Sequence, residues 1–176
     1  NQKIFRKVAE KCYLPTNALM LELLNRHSDF KISYSLSGVF MEQAEQFAPE
    51  VLDSFKKLVA TGRVELLAET SHHSLSSLFS PQEFKEQVEH HSRLLKKNFG
   101  VAPKIFRNTE LIYNNAIAHE VEQMGYRGII SEGADHILGW RSPNYLYTPK
   151  GAKKVKLLLK NYRLSDDIAF RFSSKE

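Results

Sequence analysis

The sequence predicts an α/β fold with a largely parallel sheet, because helical and strand-like segments alternate along most of the chain. The clearest strand pattern is 29–37, DFKISYSLS, in which apolar and polar residues alternate as on a sheet with one buried face. The clearest helix pattern is 80–100, in which Ser80 is placed to cap the first turn and Gly100 to end the last. These observations favour repeated strand–helix units over an all-helical or all-β domain.

Local signals predict the other elements in turn. A helix with Pro15 near its start covers 14–27, and 39–62 is interpreted as two helices with a boundary near Pro49. The next predicted elements continue the alternation and are a strand at 64–67, a strand at 103–108, a helix at 114–125 and a strand at 126–131. Beyond them we expect a polar loop and then three short strands with little helix between them, at 132–144, 145–149, 154–161 and 162–165.

Length and composition predict one globular domain, since the chain has 176 residues, 42% of them hydrophobic. No apolar run approaches the roughly 20 residues of a membrane span, and the first residues lack the pattern of a signal peptide. We therefore expect no membrane partner. The single cysteine, Cys12, excludes an internal disulfide and a cysteine zinc cluster, so we expect a reducing, cytoplasmic setting.

The net charge of +5 is dispersed along the chain, which argues against a nucleic-acid-binding patch. The densest basic stretch, 150–160, places lysines beside Gly151 and before an apolar run, without interleaved aromatic residues. This pattern is typical of a solvated loop and strand edge. We therefore expect no nucleic-acid partner.

Polar side chains follow three predicted strands at the points where those strands end. The three segments are 68–73, AETSHH; 106–111, FRNTEL; and 130–136, ISEGADH. Because the carboxyl ends of parallel strands meet at one edge of a sheet, where active sites of such folds gather, we expect these segments to share one cleft. The alternative, that each polar residue only caps the following helix, stays open for any single residue.

A more specific pattern comes from four segments taken in order: 65–75, ELLAETSHHSL; 106–115, FRNTELIYNN; the loop through 139–144, GWRSPN; and 157–173, LLLKNYRLSDDIAFRFS. Together with the elements between them, they resemble the α-amylase-like members of glycoside hydrolase family 57 over nearly the whole chain. The resemblance implies an incomplete (β/α)7 TIM-like barrel, here a fragment of it. It also implies a retaining α-amylase or 4-α-glucanotransferase that acts on α-glucans or maltooligosaccharides without a metal or organic cofactor.

Carried over by position, the resemblance implies that Glu110 is the nucleophile and that an aspartate of LSDD is the acid/base. We favour Asp167 over Asp166, because the family motif has its catalytic aspartate second in the pair. The substrate site is expected to include four further side chains, those of Glu69, His73, Arg107 and Trp140. The Trp140 indole either stacks on a sugar ring or anchors its loop by partial burial.

The implied chemistry needs two carboxyl groups in two different environments. One ionised carboxylate attacks the anomeric carbon, and one protonated carboxyl donates a proton to the leaving oxygen. We expect Glu110 to stay ionised beside donors such as Arg107 or Asn108, and Asp167 to have a raised pKa.

The chain departs from the family pattern in one respect, since the histidine-containing strand expected near the N-terminus is not present. We therefore interpret 1–176 as part of one catalytic (β/α)7-barrel domain that lacks the first strand and the C-terminal helical region. Such a piece is expected to expose apolar surface and to self-associate.

Two other functions fit parts of the pattern. A metal-dependent polysaccharide deacetylase uses a related incomplete barrel and an Asp–Asp pair, which LSDD would supply, but no histidine follows Asp167 to complete its metal site. The histidine pairs at 72–73 and 90–91 lack the spacing of a zinc site, and adjacent helical positions point apart. A non-catalytic carbohydrate-binding barrel is the third interpretation.

Overall fold

The computed structural model of the protein describes residues 2–174. The chain divides into two compact units, Asn1–Pro103 and Lys104–Glu176, and each combines parallel strands with helices. The predicted α/β fold with parallel strands is therefore confirmed. Within the described residues, no helix is both long and apolar enough to cross a membrane.

The first unit is a βαβ arrangement with further helices around it. Its helices are α1 (Gln2–Val8), α2 (Leu14–Arg26), α3 (Gly38–Phe47), α4 (Pro49–Ala60), α5 (Ser76–Phe79) and α6 (Pro81–Phe99). Its strands, β1 (Ile32–Ser35) and β2 (Val64–Leu67), pair in parallel, and α3 and α4 form the crossover between them.

The first helical segment begins at Gln2 and is longer than the predicted 14–27. A π-helical turn, Ala9–Tyr13, joins α1 to α2 and lies directly before the proline at position 15. Pro15 has no N–H for the carbonyl one turn earlier, and its ring crowds that carbonyl. The wider turn at this point is the local adjustment expected where the regular hydrogen-bond ladder is interrupted.

Capping residues explain where two later helices begin and where α6 ends, and of these Ser80 and Gly100 were predicted from the sequence. The Ser37 and Ser80 hydroxyls accept hydrogen bonds from the backbone N–H groups three residues on, each at 3.2 Å. Gly100 ends α6 in the left-handed region, with φ of 71°. These helices bury their apolar faces in one core, whose fully buried members include Leu24, Met41, Val51, Leu58 and Leu95.

The second unit contains a three-stranded parallel sheet in the order β3-β4-β5. Its elements are β3 (Ile105–Arg107), a 3₁₀ turn (Thr109–Leu111), α7 (Asn115–Gln123), β4 (Gly128–Glu132), α8 (Asp135–Leu138), β5 (Lys156–Lys160) and α9 (Tyr162–Asp166). Because all three strands run the same way, the polar segments that follow them leave the sheet at the same edge.

The two faces of this sheet differ in burial. Phe106 pairs with Ile129, and Ile129 with Leu157, so these buried side chains form one row across one face. The next row, Arg107, Ile130 and Leu158, lies on the opposite face, where Leu158 is 39% exposed. Arg107 therefore belongs to the more open face of the sheet.

The basic segment before β5 is held by one carboxylate. Glu122 of α7 accepts hydrogen bonds from three successive backbone N–H groups, those of Lys153, Lys154 and Val155. These bonds, that of Lys154 foremost, hold the pKa of Glu122 below its usual value. The clamp fixes the start of β5 and leaves the lysine side chains at 153 and 154 exposed, as expected for a solvated loop.

Three predictions for the C-terminal part are corrected. The loop predicted at 132–144 contains the short helix α8, and the strand predicted at 145–149 is reduced to one antiparallel bridge, between Tyr147 and Leu157. The strand predicted at 162–165 is helical and forms α9, because the Asn161 side chain caps it by accepting from the Leu164 N–H at 3.2 Å. Only the strand predicted at 154–161 is found, as β5.

We expect Gly38→Ala to destabilise the first unit by about 1–3 kcal/mol, the usual cost of overpacking a filled site. A Cβ at position 38 would lie 2.7 Å from the Ser71 carbonyl oxygen and 3.1 Å from Leu94 Cδ1. Urea unfolding of the variant measures this loss. Glu42→Ala, at an exposed position of the same helix, is the control and should change the free energy of unfolding by less than about 0.5 kcal/mol. Equal effects of the two substitutions would contradict the close contact at Gly38.

Candidate active site

In the first unit, the predicted site residues Glu69 and His73 lie in direct contact. Glu69 follows β2 and is only 2% exposed, and each of its two carboxyl oxygens has a hydrogen-bond partner. One oxygen accepts from the Ser35 hydroxyl at 2.8 Å, and the other lies 3.0 Å from His73 Nδ1. A buried carboxyl needs such donors, so these contacts fix its orientation.

A tight turn brings His73 back over Glu69. The His73 N–H donates to the Thr70 carbonyl at 3.0 Å, and the Ser74 N–H donates to the Thr70 hydroxyl, also at 3.0 Å. His73 has a φ of 51°, in the left-handed region that a residue with a side chain seldom adopts. Its side chain is 42% exposed, so the imidazole faces solvent on one side and a buried carboxyl on the other.

A third residue, His91, joins this cluster and was not among the site residues predicted from the sequence. It is fully buried in α6 and accepts from the Glu69 N–H through Nδ1 at 3.2 Å. Its Nε2 lies 2.7 Å from the carbonyl oxygen of Leu36, to which it donates. Burial lowers the pKa of His91, outweighing the Leu36 carbonyl and the Glu69 carboxylate, which favour the charged ring.

A sequence signal for His91 did exist. The buried residues of α6 are Phe84, Val88, His91 and Leu95, which recur at the three- and four-residue spacing of one helix face. A histidine within an apolar stripe is buried and must find hydrogen-bond partners. The pattern thus indicates a buried imidazole, but not the distant backbone groups that it contacts.

In the second unit, the chain after β3 turns sharply and leaves Glu110 exposed. Glu110 and Leu111 are consecutive left-handed residues, with φ of 52° and 56°. Two polar side chains hold the turn: Asn108 donates to the Ile112 carbonyl at 3.0 Å, and Ser131 of β4 donates to the Leu111 carbonyl at 3.3 Å. Strained backbone of this kind, maintained by its surroundings, is concentrated at functional sites.

The aspartates of LSDD lie at the end of a helix, where a strand end was predicted. Asp166 is the last residue of α9, and Asp167 begins a π-helical turn, Asp167–Arg171. The Asp167 carboxylate accepts from Arg171 Nε at 2.7 Å. The apolar neighbours Ile168 and Phe170 are 75% and 76% exposed, so they do not bury Asp167 in this unit.

The polar segments after β4 and β5 are linked by hydrogen bonds. Asp135 at the start of α8 accepts from the Tyr162 hydroxyl at 2.7 Å and from Arg163 at 3.0 Å, both in α9. The Tyr162 hydroxyl first, and then Arg163, hold the pKa of Asp135 below its usual value. Two of the polar segments therefore meet at the carboxyl edge of the sheet.

Trp140 lies on the loop after α8 and is 95% exposed. The preceding Gly139 has a φ of 60°, a backbone conformation that glycine adopts readily. A buried loop anchor is therefore not its role in this unit. The indole presents both faces to solvent, which is the arrangement needed to stack on a ring.

A cavity of about 530 Å³ in the second unit lies on the opposite side of the sheet from Arg107. Ser131, Leu157 and Leu159 line it, and they share a face with the buried Phe106 row. Arg107 is thus separated from this cavity by the sheet. In residues 2–174, no three histidine, cysteine, aspartate or glutamate side chains are grouped so that they could hold a metal ion.

The lowered pKa of His91 makes stability depend on pH. The unfolded chain binds a proton at this histidine below about pH 6.5, whereas the folded chain binds it only at a lower pH. The contribution of His91 is therefore complete above about pH 6.5 and is lost as the pH falls through the folded pKa. Urea unfolding at pH 7.5, 6.5 and 5.5 should show a steeper acid loss for the wild type than for His91→Gln. Parallel profiles would contradict the neutral assignment of this ring.

Comparisons with known proteins identify the chain's relatives. The model of the protein family described as Glycosyl hydrolase family 57 matches residues 1–176. A Methanocaldococcus jannaschii protein named "Putative alpha-amylase" is 57% identical over 178 residues, which cover 100% of this chain and 37% of that protein. This chain therefore spans little more than a third of that relative's length.

Two crystal structures share the fold. The 4-alpha-glucanotransferase from Thermococcus litoralis has a TM-score of 0.82 at 18% identity, over 97% of this chain and 27% of its own. The alpha-amylase AmyC from Thermotoga maritima has a TM-score of 0.71 at 14% identity, over 95% of this chain and 42% of its own. The predicted fold class, a fragment of an incomplete (β/α)7 TIM-like barrel, is confirmed. Because the family match extends over every residue, as the ordered segments predicted, this chain belongs to glycosyl hydrolase family 57.

Proposed function

We propose that the protein containing this chain is a retaining glycoside hydrolase that acts on α-glucans or maltooligosaccharides, by hydrolysis or by glucan transfer. The observation that carries the proposal is the family 57 match over residues 1–176. Family membership favours this reaction over a metal-dependent polysaccharide deacetylase and over a non-catalytic barrel. We further propose that 1–176 belong to one catalytic barrel domain.

Glu110 is the proposed nucleophile. Its exposure and left-handed backbone, held by Asn108 and Ser131, support this role because a nucleophile must reach the anomeric carbon in a fixed orientation. A covalent glycosyl-enzyme intermediate then forms and is opened by water or by a glucan hydroxyl. The choice of acceptor decides between hydrolysis and transfer.

Asp167 is the proposed acid/base. Its contact with Arg171 stabilises the ionised carboxylate, which is the form that serves as general base in the second step. Proton donation in the first step requires that contact to weaken when a glucan is bound. Substrate contacts are assigned to four further side chains, Glu69, His73, Arg107 and Trp140.

We expect Glu110→Gln to abolish turnover of starch and maltooligosaccharides while binding is nearly unchanged, because the amide keeps the size of the carboxylate and removes its nucleophilic charge. Turnover is measured with products resolved, and binding by calorimetry. In the wild type, NMR of the first released product should show the α-anomer, as a retaining mechanism requires. An active Glu110→Gln variant would contradict the assignment of the nucleophile.

We expect Asp167→Asn to lose less activity on substrates with good leaving groups than on starch, because such substrates need little proton donation. Azide should then restore deglycosylation. Asp166→Asn, the neighbouring carboxyl, is the matched control. Loss of activity in Asp166→Asn together with normal rates in Asp167→Asn would show that the acid/base is Asp166.

We expect Trp140→Ala to raise KM for maltooligosaccharides about threefold to tenfold, the loss of one aromatic stacking contact. The melting temperature should not change, because the 95% exposed indole packs on little else. Phe79→Ala removes another aromatic ring, 80% exposed, and serves as the control. An equal rise in KM for both variants would rule out a specific contact at Trp140.

A further inference from the structure

We propose that His91 is a positioning residue that places the Glu69–His73 pair by joining the ends of β1 and β2. The inference rests on the proposed function, in which Glu69 and His73 contact the glucan. His91 does not reach solvent, so it acts through Glu69 rather than on the substrate.

The joint lies where the strand ladder has ended. The last pair of the β1–β2 ladder is Ser35 with Leu67. Beyond it, the imidazole of His91 bonds both the Leu36 carbonyl, at 2.7 Å, and the Glu69 N–H, at 3.2 Å. The ring therefore continues the connection between the two strands after their backbones have stopped pairing.

Only one form of the ring makes both bonds. Nε2 must carry the hydrogen that it donates to a carbonyl, and Nδ1 must be bare to accept from an N–H. A protonated ring would set an Nδ1–H against the N–H of Glu69. Because the site is closed to water, a side chain that satisfied neither backbone group would leave both without partners.

The joint also closes a ring of hydrogen bonds around Glu69. The same strand end supplies the Leu36 carbonyl to His91 and the Ser35 hydroxyl to the Glu69 carboxylate, at 2.8 Å. The Glu69 backbone is thus connected to the end of β1 through His91, and the Glu69 carboxylate is bonded to it directly. The other carboxylate oxygen holds His73, the exposed member of the group. A shift of Glu69 therefore moves the imidazole that faces solvent.

Two substitutions separate the two bonds of His91. In Asn, the amide lies near the position of Nδ1 and can still accept from the Glu69 N–H. In Gln, the amide lies near Nε2 and can still donate to the Leu36 carbonyl. If His91 acts through Glu69, then His91→Gln should be the more damaging change. His90→Gln, at the adjacent position of the same helix, is the control.

The test measures kcat and KM of the full-length protein on maltooligosaccharides, at a temperature where circular dichroism shows every variant folded. We expect His91→Gln to raise KM about tenfold, His91→Asn to raise it less, and kcat to change little. In a Glu69→Gln background, His91→Gln should add no further loss, because both changes act on one element. His90→Gln should match the wild type.

A second readout does not depend on activity. In histidine-labelled full-length protein, the NMR signals of the His73 ring should move in His91→Gln and stay in place in His90→Gln. Lower melting temperatures with unchanged KM and unchanged His73 signals would overturn the proposal and leave His91 a purely structural residue. If the wild type does not act on glucans, the proposed function fails, and the His73 signals alone decide whether His91 positions the pair.

Discussion

The first unit depends on satisfying buried backbone groups where two parallel strands end. The β1–β2 ladder satisfies such groups only as far as Ser35 and Leu67, and the buried imidazole of His91 satisfies the next pair. A buried polar group without a partner costs about 1–3 kcal/mol, so loss of this contact would lower the free energy of unfolding. The same contact bonds the backbone of Glu69, a residue of the candidate site.

The second unit meets the same requirement with side chains from α7, from β4 and from the turn after β3. The Glu122 carboxylate gathers three N–H groups before β5, and Ser131 and Asn108 donate to the carbonyls of the turn after β3. Each of these contacts lies at a strand terminus, where the ladder no longer supplies partners. The left-handed backbone at Glu110 persists because its surroundings hold it on both sides.

In both units a buried polar residue comes before an exposed one. Glu69 is buried and His73, four residues later, faces solvent; Asn108 is buried and Glu110, two residues later, is exposed. The buried member is fixed by neighbouring strands or by its own turn, and the exposed member lies at the surface. This arrangement gives an exposed polar side chain a defined direction without burying it.

The sequence by itself determined the α/β class, the caps at Ser80 and Gly100, and the polar strand ends, because these follow from periodicity and turn chemistry within a few residues. The ordered segments also determined the family. Only the tertiary structure decided that 162–165 form a helix, since so short an apolar–polar pattern fits either state until the Asn161 cap forms. It also decided the contacts of His91, whose partners Leu36 and Glu69 are 55 and 22 residues away along the chain. Contacts over such distances depend on how the strands pack, and local sequence patterns carry no information about them.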